Sequence, residues 1–240
     1  MKTLDKAVIY IKMSAKAILY KPSSQTLFGV IKFFPAWWAH LKPGKNPVSD
    51  KMPWLSFGAI KFISKIATPE MSVFEYGSGG STLFWSSKVK QVISIEHERG
   101  WHDRMQEELK KNNIKNVEYI LAEAEPDECF TNKNFASPDH YISSDPLFKE
   151  KKFESYAKQI DRFPNQFFDI VIVDGRARPS CILHAINKIK VNGFLIVDNS
   201  ERDHYSPSFA SLRNWKKLDF MGAVPYDYHF SQTSIYQKIG

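Results

Sequence analysis

Cysteine is nearly absent, with two in 240 residues, Cys129 and Cys181. Neither has a second Cys or a His at metal-ligand spacing. That argues against a disulfide framework and a zinc site, and two reduced thiols in a cytosolic protein are expected. Acids are scarce at the start. Residues 1–65 hold eleven Lys and two Asp, a net +9 against +7 for the whole chain, so the remainder comes to −2. Arginine is missing from that stretch and no known nucleic-acid module is visible, so no nucleic-acid partner is expected. Long apolar runs are missing too. The run Leu27–Leu41 is too short for a bilayer and contains Lys32 and Pro35. Lys6, Lys12 and Lys16 interrupt the apolar positions before it, and no small-residue cleavage site follows. Neither a transmembrane helix nor a signal peptide is expected. With no internal repeat and no low-complexity segment, what remains is a folded chain large enough for one core.

The basic segment has a pattern of its own. Residues 4–20, "LDKAVIYIKMSAKAILY", read as a helix. At about 100° per residue, Lys2, Lys6, Lys12 and Lys16 fall within an arc of roughly 120°, and the other face is apolar. A second apolar patch, "LFGVIKFFPAWWAHL", follows Pro22 and Ser23–Ser24. Residues 1–50 are thus a basic, apolar helical extension. Two readings stand: residues 1–41 touch an anionic membrane surface peripherally, or they pack on the main domain with their lysines solvated. The location expected is cytoplasmic, at the membrane under the first reading. The domain proper is placed at 51–240, after the turn-rich linker Pro43 to Pro47. The stretch "MPWLSFGAIKFISKIATPE" gives an apolar helical face from Trp54 to Ile66, stopped by Thr68-Pro69.

Next comes "VFEYGSGGSTLFW". Val73–Tyr76 is a short strand, Gly77-Ser78-Gly79-Gly80 a turn, and Ser81-Thr82 can cap a helix over "TLFWSSKV". Glycines let a ligand approach the backbone. A dinucleotide fingerprint would place a third glycine where Thr82 stands, and Glu75 would repel a phosphate, so a nicotinamide cofactor is disfavoured. An amino acid moiety, with both charges, suits the pair better. The second strand, "QVISIEHE", reaches Glu96, 19 residues after Gly77. An acid there can accept both hydroxyls of a ribose. A ribose at one end and a zwitterion at the other is the outline of S-adenosylmethionine.

Here the chain resembles class I S-adenosylmethionine-dependent methyltransferases, in an uncharacterised bacterial subgroup with "VDGR" and "DNS" motifs. "EYGSGGST" and "ISIEHE" look like the first two motifs. "FFDIVIVDGR" and "INKIKVNGFLIVDNSERDHY" continue the likeness, which covers roughly residues 52–240. The resemblance implies an α/β, Rossmann-like, seven-stranded, mostly parallel sheet with an antiparallel last strand, joined to the N-terminal helical extension. It implies that Glu75, Tyr76, Gly77, Ser78 and Gly79 surround the methionine part, with hydroxyls from Ser81 and Thr82. Glu96 would hold the ribose, with His97 beside the adenine. Glu123, at the end of "VEYILAEAE", would contact the adenine, although the family more often has Asp or Asn there.

"FDIVIVDG" is almost continuously apolar, as a strand buried on both faces would be. It ends on Asp174, and "GFLIVDNS" ends on Asp198-Asn199, so both acids should open on one cleft. "CILHAINKIKV" between them reads as helix, ended by Asn192-Gly193. Asp174, Asp198 and Asn199 are the catalytic candidates. They could hold a divalent metal as in catechol O-methyltransferase-like enzymes, contact acceptor or cofactor directly, or cap their strands. Arg176 and Arg178 already supply positive charge, so a metal is not favoured, and these arginines could pair with the acids or bind an anionic acceptor. His204 and Tyr205 are expected at the acceptor pocket. Residues 124–165 form an insert read as a lid or acceptor-recognition element, with Tyr141 and Tyr156 facing inward. "DFMGAVPYDYHFSQTSIYQKIG" should give two antiparallel edge strands. The function expected is methyl transfer to a small-molecule or glycan acceptor, at oxygen. The rival is a non-catalytic binding module of the same fold, docked to a membrane or a partner.

Overall fold

The computed structural model describes residues 3–240, so Lys2 of the basic arc lies outside the described residues. Helices come first: α1 (Thr3–Tyr20), α2 (Ser24–Lys32), α3 (Phe34–His40), α4 (Pro47–Asp50) and α5 (Phe57–Ile66). The α/β alternation then runs β1 (Ser72–Tyr76), α6 (Gly80–Ser86), β2 (Gln91–Glu96), α7 (Arg99–Lys111) and β3 (Val117–Leu121). A two-residue ribbon, β4 (Glu125–Pro126) with β5 (Lys151–Lys152), and α8 (Glu154–Lys158) lie in the insert. The chain closes with β6 (Phe168–Val173), α9 (Arg178–Ala185), β7 (Ile189–Val197), α10 (Ser206–Phe209), β8 (Lys216–Ala223) and β9 (Phe230–Gln237).

Seven strands form one sheet in the order β3-β2-β1-β6-β7-β9-β8. The first five are parallel, and β9 runs antiparallel to both its neighbours. This is the expected Rossmann-like architecture with an antiparallel last strand. The strand order reverses between β1 and β6, which opens a crevice at their carboxyl ends, where α/β sheets bind ligands.

Strand periodicity of two divides the core into two layers. Phe74, Tyr76, Val171, Val173, Leu195 and Val197 point to a face covered by α8 and α9, through residues such as Tyr156 and Ile182. Val73, Ile170, Ile172 and Ile196 point to the other face. There they meet α5, through Ala59, Ile60 and Ile63, and the N-terminal helices, through Tyr10, Ala17, Val30 and Trp37. Trp37 is fully buried and its indole N–H donates to the Asp227 carbonyl at 2.8 Å. The Tyr10 hydroxyl donates to the Val30 carbonyl at 2.6 Å. The first helices therefore pack on the sheet.

Three local expectations need correction. The helix before β7 ends at Ala185, and Ile189 already pairs with Phe168. Asn192-Gly193 then lies inside β7, where the register shifts between Phe168 and Ile170 and Asn192 takes φ 66°. The apolar β-branched residues Ile189 and Val191 fit a strand as well as a helix, and pairing with β6 decides. Of the two closing strands, β8 alone is at the edge, because β9 inserts between β7 and β8. The helix expected from Trp54 begins at Phe57, which leaves Trp54 free to reach the crevice.

Candidate functional site

The turn after β1 is tight for a reason visible in its neighbour. Gly77 has φ +92°, and a Cβ there would lie 2.8 Å from the Asp174 carbonyl oxygen. Only glycine lets the ends of β1 and β6 approach so closely. Beneath the turn, Glu75 is fully buried. Its Oε2 accepts from the hydroxyls of Thr82 (2.5 Å) and Ser94 (2.8 Å), and the Gly79 N–H donates to Thr82 Oγ1 at 3.0 Å. Burial pushes the Glu75 carboxyl up to about 7, against the opposing pull of hydroxyls from Ser81, Thr82 and Ser94. Its Oε1 has no hydrogen bond in good geometry. Glu75 and Thr82 thus brace the turn from below. Tyr76 is also buried, donating to the Ala157 carbonyl and packing on Tyr156, away from the crevice.

Glu96 ends β2 on the other side of the turn. Its Oε1 accepts from the backbone N–H groups of His97 (2.7 Å) and Glu98 (2.9 Å), with His97 Nδ1 2.8 Å away. Its Oε2 accepts from the Ser78 hydroxyl at 2.8 Å, and that hydroxyl also meets the Tyr119 hydroxyl at 2.7 Å. Burial alone would raise this carboxyl, but the surrounding donors, with His97 foremost, hold it below its ordinary value. An ionised carboxylate with acceptor capacity at a strand end suits a sugar diol. For a ribose to reach Oε2, a ribose hydroxyl would have to share it with Ser78 or displace it.

Gly77, Ser78, Gly79, Ser81, Glu96, His97 and Asp174 converge on a cavity of about 540 Å³. Its apolar walls are Trp54, Trp101 and, from the insert, Leu147 and Phe148. Trp101 is fixed by its indole N–H, which donates to the Ser78 carbonyl at 3.0 Å. A cavity this size, with an acid at one wall, a glycine turn with exposed backbone at another and flat aromatic walls, fits S-adenosylmethionine. The place of Trp101 three residues after Glu98, the N-cap of α7, was the available signal. Glu123 stands apart, half-exposed and paired with Arg99 at 2.5 Å.

Asp174 is tied to the next strand through Arg178. This buried guanidinium donates to Asp174 Oδ1 (2.9 Å), to the Gly175 carbonyl (3.0 Å) and to the Asp198 carbonyl. Burial raises the Asp174 carboxyl above its ordinary value, opposed by Arg178, Arg202 and Arg176. Asp174 Oδ2 makes no hydrogen bond to the described residues. Asp198 and Asn199 do not share this cleft. They line a neighbouring cavity of about 420 Å³, with Trp54 between the two. Asp198 accepts from the Thr233 hydroxyl at 2.7 Å, and burial beside Asp174 pushes its carboxyl up to about 8. Asn199 takes φ 48° and accepts from Arg202. Parallel pairing of Val173 with Val197 puts Asp174 and Asp198 at adjacent strand ends, but Arg178 occupies the space between. Among the described residues no three His, Cys, Asp or Glu side chains form a metal-holding group. Tyr156 is buried against Gly175, whose Cβ would overlap its hydroxyl. Tyr141 bonds His184 of α9 at 3.1 Å and packs against the core layer, outside the cleft lining.

No family model matches the chain, and no curated protein matches it. Solved structures do. A methyltransferase from Geobacter sulfurreducens is 14% identical over 87% of this chain and 96% of its own, with a TM-score of 0.51. Precorrin-6y C5,15-methyltransferase from Geobacter metallireducens is 13% identical over 81% of this chain and 99% of its own, also at 0.51. A Streptococcus mutans protein in complex with SAH aligns at 0.48, with 14% identity over 74% and 94% of the two chains. Likeness at this identity bears on architecture alone: the chain has the Rossmann-like fold of methyltransferases.

Proposed function

We propose that this protein transfers a methyl group from S-adenosylmethionine to a small-molecule or glycan acceptor, at an oxygen. The observation that carries the reading is the convergence of the Gly77–Ser81 turn, Glu96 with His97, and Asp174 on one 540 Å³ cavity at the point where strand order reverses. Glu96 would hold the ribose, the turn the amino acid part, and Trp101 and Phe148 the flat faces. When bound, the cofactor supplies an electrophilic methyl on a sulfonium. The chain's own contribution is alignment, exclusion of water, and a proton acceptor at Asp174. With Oδ1 held by Arg178, Oδ2 is the atom that can take or orient the proton of an acceptor hydroxyl.

Calorimetric titration with S-adenosylhomocysteine and with NAD tests the reading. Binding of the first and not the second is expected. Glu96→Ala should weaken the first by about 1–3 kcal/mol, the cost of losing charged hydrogen bonds. Binding of NAD alone overturns the reading. Cofactor binding with no turnover across a broad acceptor screen would favour the non-catalytic module.

A further inference from the structure

Gly175 and Arg176 form a wall common to the cofactor cleft and a second cavity of about 280 Å³. Three guanidiniums line that smaller cavity, from Arg176, Arg178 and Arg202, together with His204, Tyr205 and Asp145. Arg178 is fully engaged with Asp174 and two carbonyls. Arg176 gives one nitrogen to Asp145 at 3.1 Å and stacks on Phe148, while its buried Nε has no partner. Arg202 bonds only neutral groups, Asn199 Oδ1 and the Tyr205 hydroxyl, each at 3.2 Å, and no acid pairs with it among the described residues. His204 Nε2 is buried and also lacks a partner. Burial, with Arg202 and Arg178 nearby, pulls its imidazole below the ordinary histidine range. The buried Arg176 Nε is an unmet donor beside two further guanidiniums, and an anion would satisfy the donor and offset the charge. The planar guanidinium fork matches an oxyanion better than any other ligand class.

We infer that this cavity binds an oxyanion group carried by the methyl acceptor, such as a phosphate or sulfate ester or a carboxylate, through Arg202 and Arg176. This rests on the proposed function, since it places the acceptor across the Gly175–Arg176 wall from the cofactor. The volume admits one compact anionic group, which favours a small molecule over a polymer. The test is calorimetry with inorganic sulfate, inorganic phosphate, glucose 1-phosphate and glucose. The anions should bind and glucose should not. Arg202→Gln and Arg176→Gln should each weaken the anions at least tenfold, while Arg202→Gln leaves S-adenosylhomocysteine binding within twofold. Anion affinity unchanged in both variants, or no anion binding to the wild type, overturns the inference while S-adenosylhomocysteine binding still stands. A short RNA that binds far more tightly than glucose 1-phosphate, with the same arginine dependence, overturns the small-molecule assignment.

A separate observation concerns the first two helices. Leu4, Val8, Ile11 and Leu19 are exposed within an arc of about 80° on α1, and Leu27, Phe28 and Ile31 are exposed on α2. Among the described residues fifteen large hydrophobic side chains are exposed, and nine of them lie from Leu4 to Phe34, so the exposure is concentrated. Lys12, Lys16 and Lys32 border it, and Asp5 is the one acid in residues 1–49. Beneath α2, a cavity of about 320 Å³ walled by Phe28, Phe33, Phe62 and Phe220 has Lys32 and Lys61 at its lining. These two ammonium groups lie side by side, Lys32 lowering the proton affinity of Lys61, and neither pairs with an acid among the described residues.

We propose that this face docks on an anionic phospholipid bilayer, with Lys32 and Lys61 on a lipid phosphate and one acyl chain in the cavity. Apolar residues at the acyl boundary with lysines at headgroup level are the chemistry of an interfacial helix. The full chain should sediment with phosphatidylglycerol-containing vesicles, tenfold less with pure phosphatidylcholine, and salt should release it. The double substitution Lys32→Gln with Lys61→Gln, and separately Ile31→Asp, should each cut binding at least tenfold. Equal binding to neutral vesicles, or none to anionic ones, refutes the proposal. Self-association in the ultracentrifuge that Ile31→Asp abolishes would assign the face to a second copy of this chain instead.

Discussion

Two carboxyl groups on adjacent strands, Glu75 on β1 and Asp174 after β6, are both raised by burial, yet they do different things. Glu75 is not among the residues lining the cleft, and it braces the glycine turn through Thr82 and Ser94. Its carboxyl is raised to about 7 from a free value of 4.5, so between those values the folded chain keeps a proton that the unfolded chain loses. Stability must therefore fall as pH rises through that window, by on the order of 3 kcal/mol for the full shift. Glu75→Gln should flatten this loss and leave the variant more stable than wild type at pH 8 but not at pH 5, read by urea unfolding at both. Asp174 lines the cleft, so its titration should appear in turnover instead. Activity should rise with pH as this carboxyl ionises above its ordinary range. Asp174→Asn should lower turnover about 10²–10⁴-fold and remove that acidic limb, with S-adenosylhomocysteine affinity changed only a few-fold. The measurement is a pH–rate profile with any acceptor found by labelled-cofactor screening. A variant that keeps both its rate and its acidic limb would show that Asp174 only positions Arg178.

At the level of elements, the stretches that sequence patterns expose best are those whose surroundings are uniform. The strands β1, β2 and β6 are buried along nearly their whole length, and their largely apolar runs ending in Glu75-Tyr76, Glu96 and Asp174 stood out accordingly. The candidate residues on those ends, Gly77, Ser78, Glu96 and Asp174, which line one cavity, were legible for the same reason. What was not legible depends on partners distant in the chain. Asp198 follows the same strand pattern as Asp174, but Arg178 and Thr233 decide that it is a buried acceptor of hydrogen bonds in a separate cavity. Trp54 and Phe148 carry no local signal that distinguishes a cleft wall from packing. Glu123 occupies the expected strand end, yet Arg99 draws it outward. The turn itself gives the sharpest test at this scale. Gly77→Ala combines a left-handed backbone with a Cβ against the Asp174 carbonyl, and should cost at least about 2 kcal/mol of stability. It should also abolish cofactor binding in protein that remains folded by circular dichroism. An alanine variant with wild-type affinity would mean that the β1 and β6 ends can separate freely.

Across the whole molecule, the +9 segment is part of the machinery's scaffold as well as its outer face. Tyr10, Trp37 and Val30 share one core layer with β1, β6 and β7, so the sheet would lose a covering wall without them. The same helices turn exposed leucines and isoleucines outward, and α1 ends where the Tyr20 hydroxyl donates to the Glu201 carbonyl at 3.3 Å, next to Arg202 of the proposed anion cavity. A membrane-facing surface and an anion-binding cavity would thus be neighbours, which suits an acceptor presented at a lipid surface. This arrangement requires the helices to stay docked when the rest of the protein is folded. A shared core layer makes unfolding a single transition, because separating the helices exposes the sheet. Thermal unfolding followed by tryptophan fluorescence, to which Trp37 and Trp38 contribute, should coincide with unfolding followed by far-ultraviolet circular dichroism. Trp37→Ala removes a fully buried ring and should cost about 3–5 kcal/mol, lowering both transitions together. If the fluorescence transition moved alone, the helices would be a separately folding unit, and their exposed face would be free to leave the sheet when it meets a membrane.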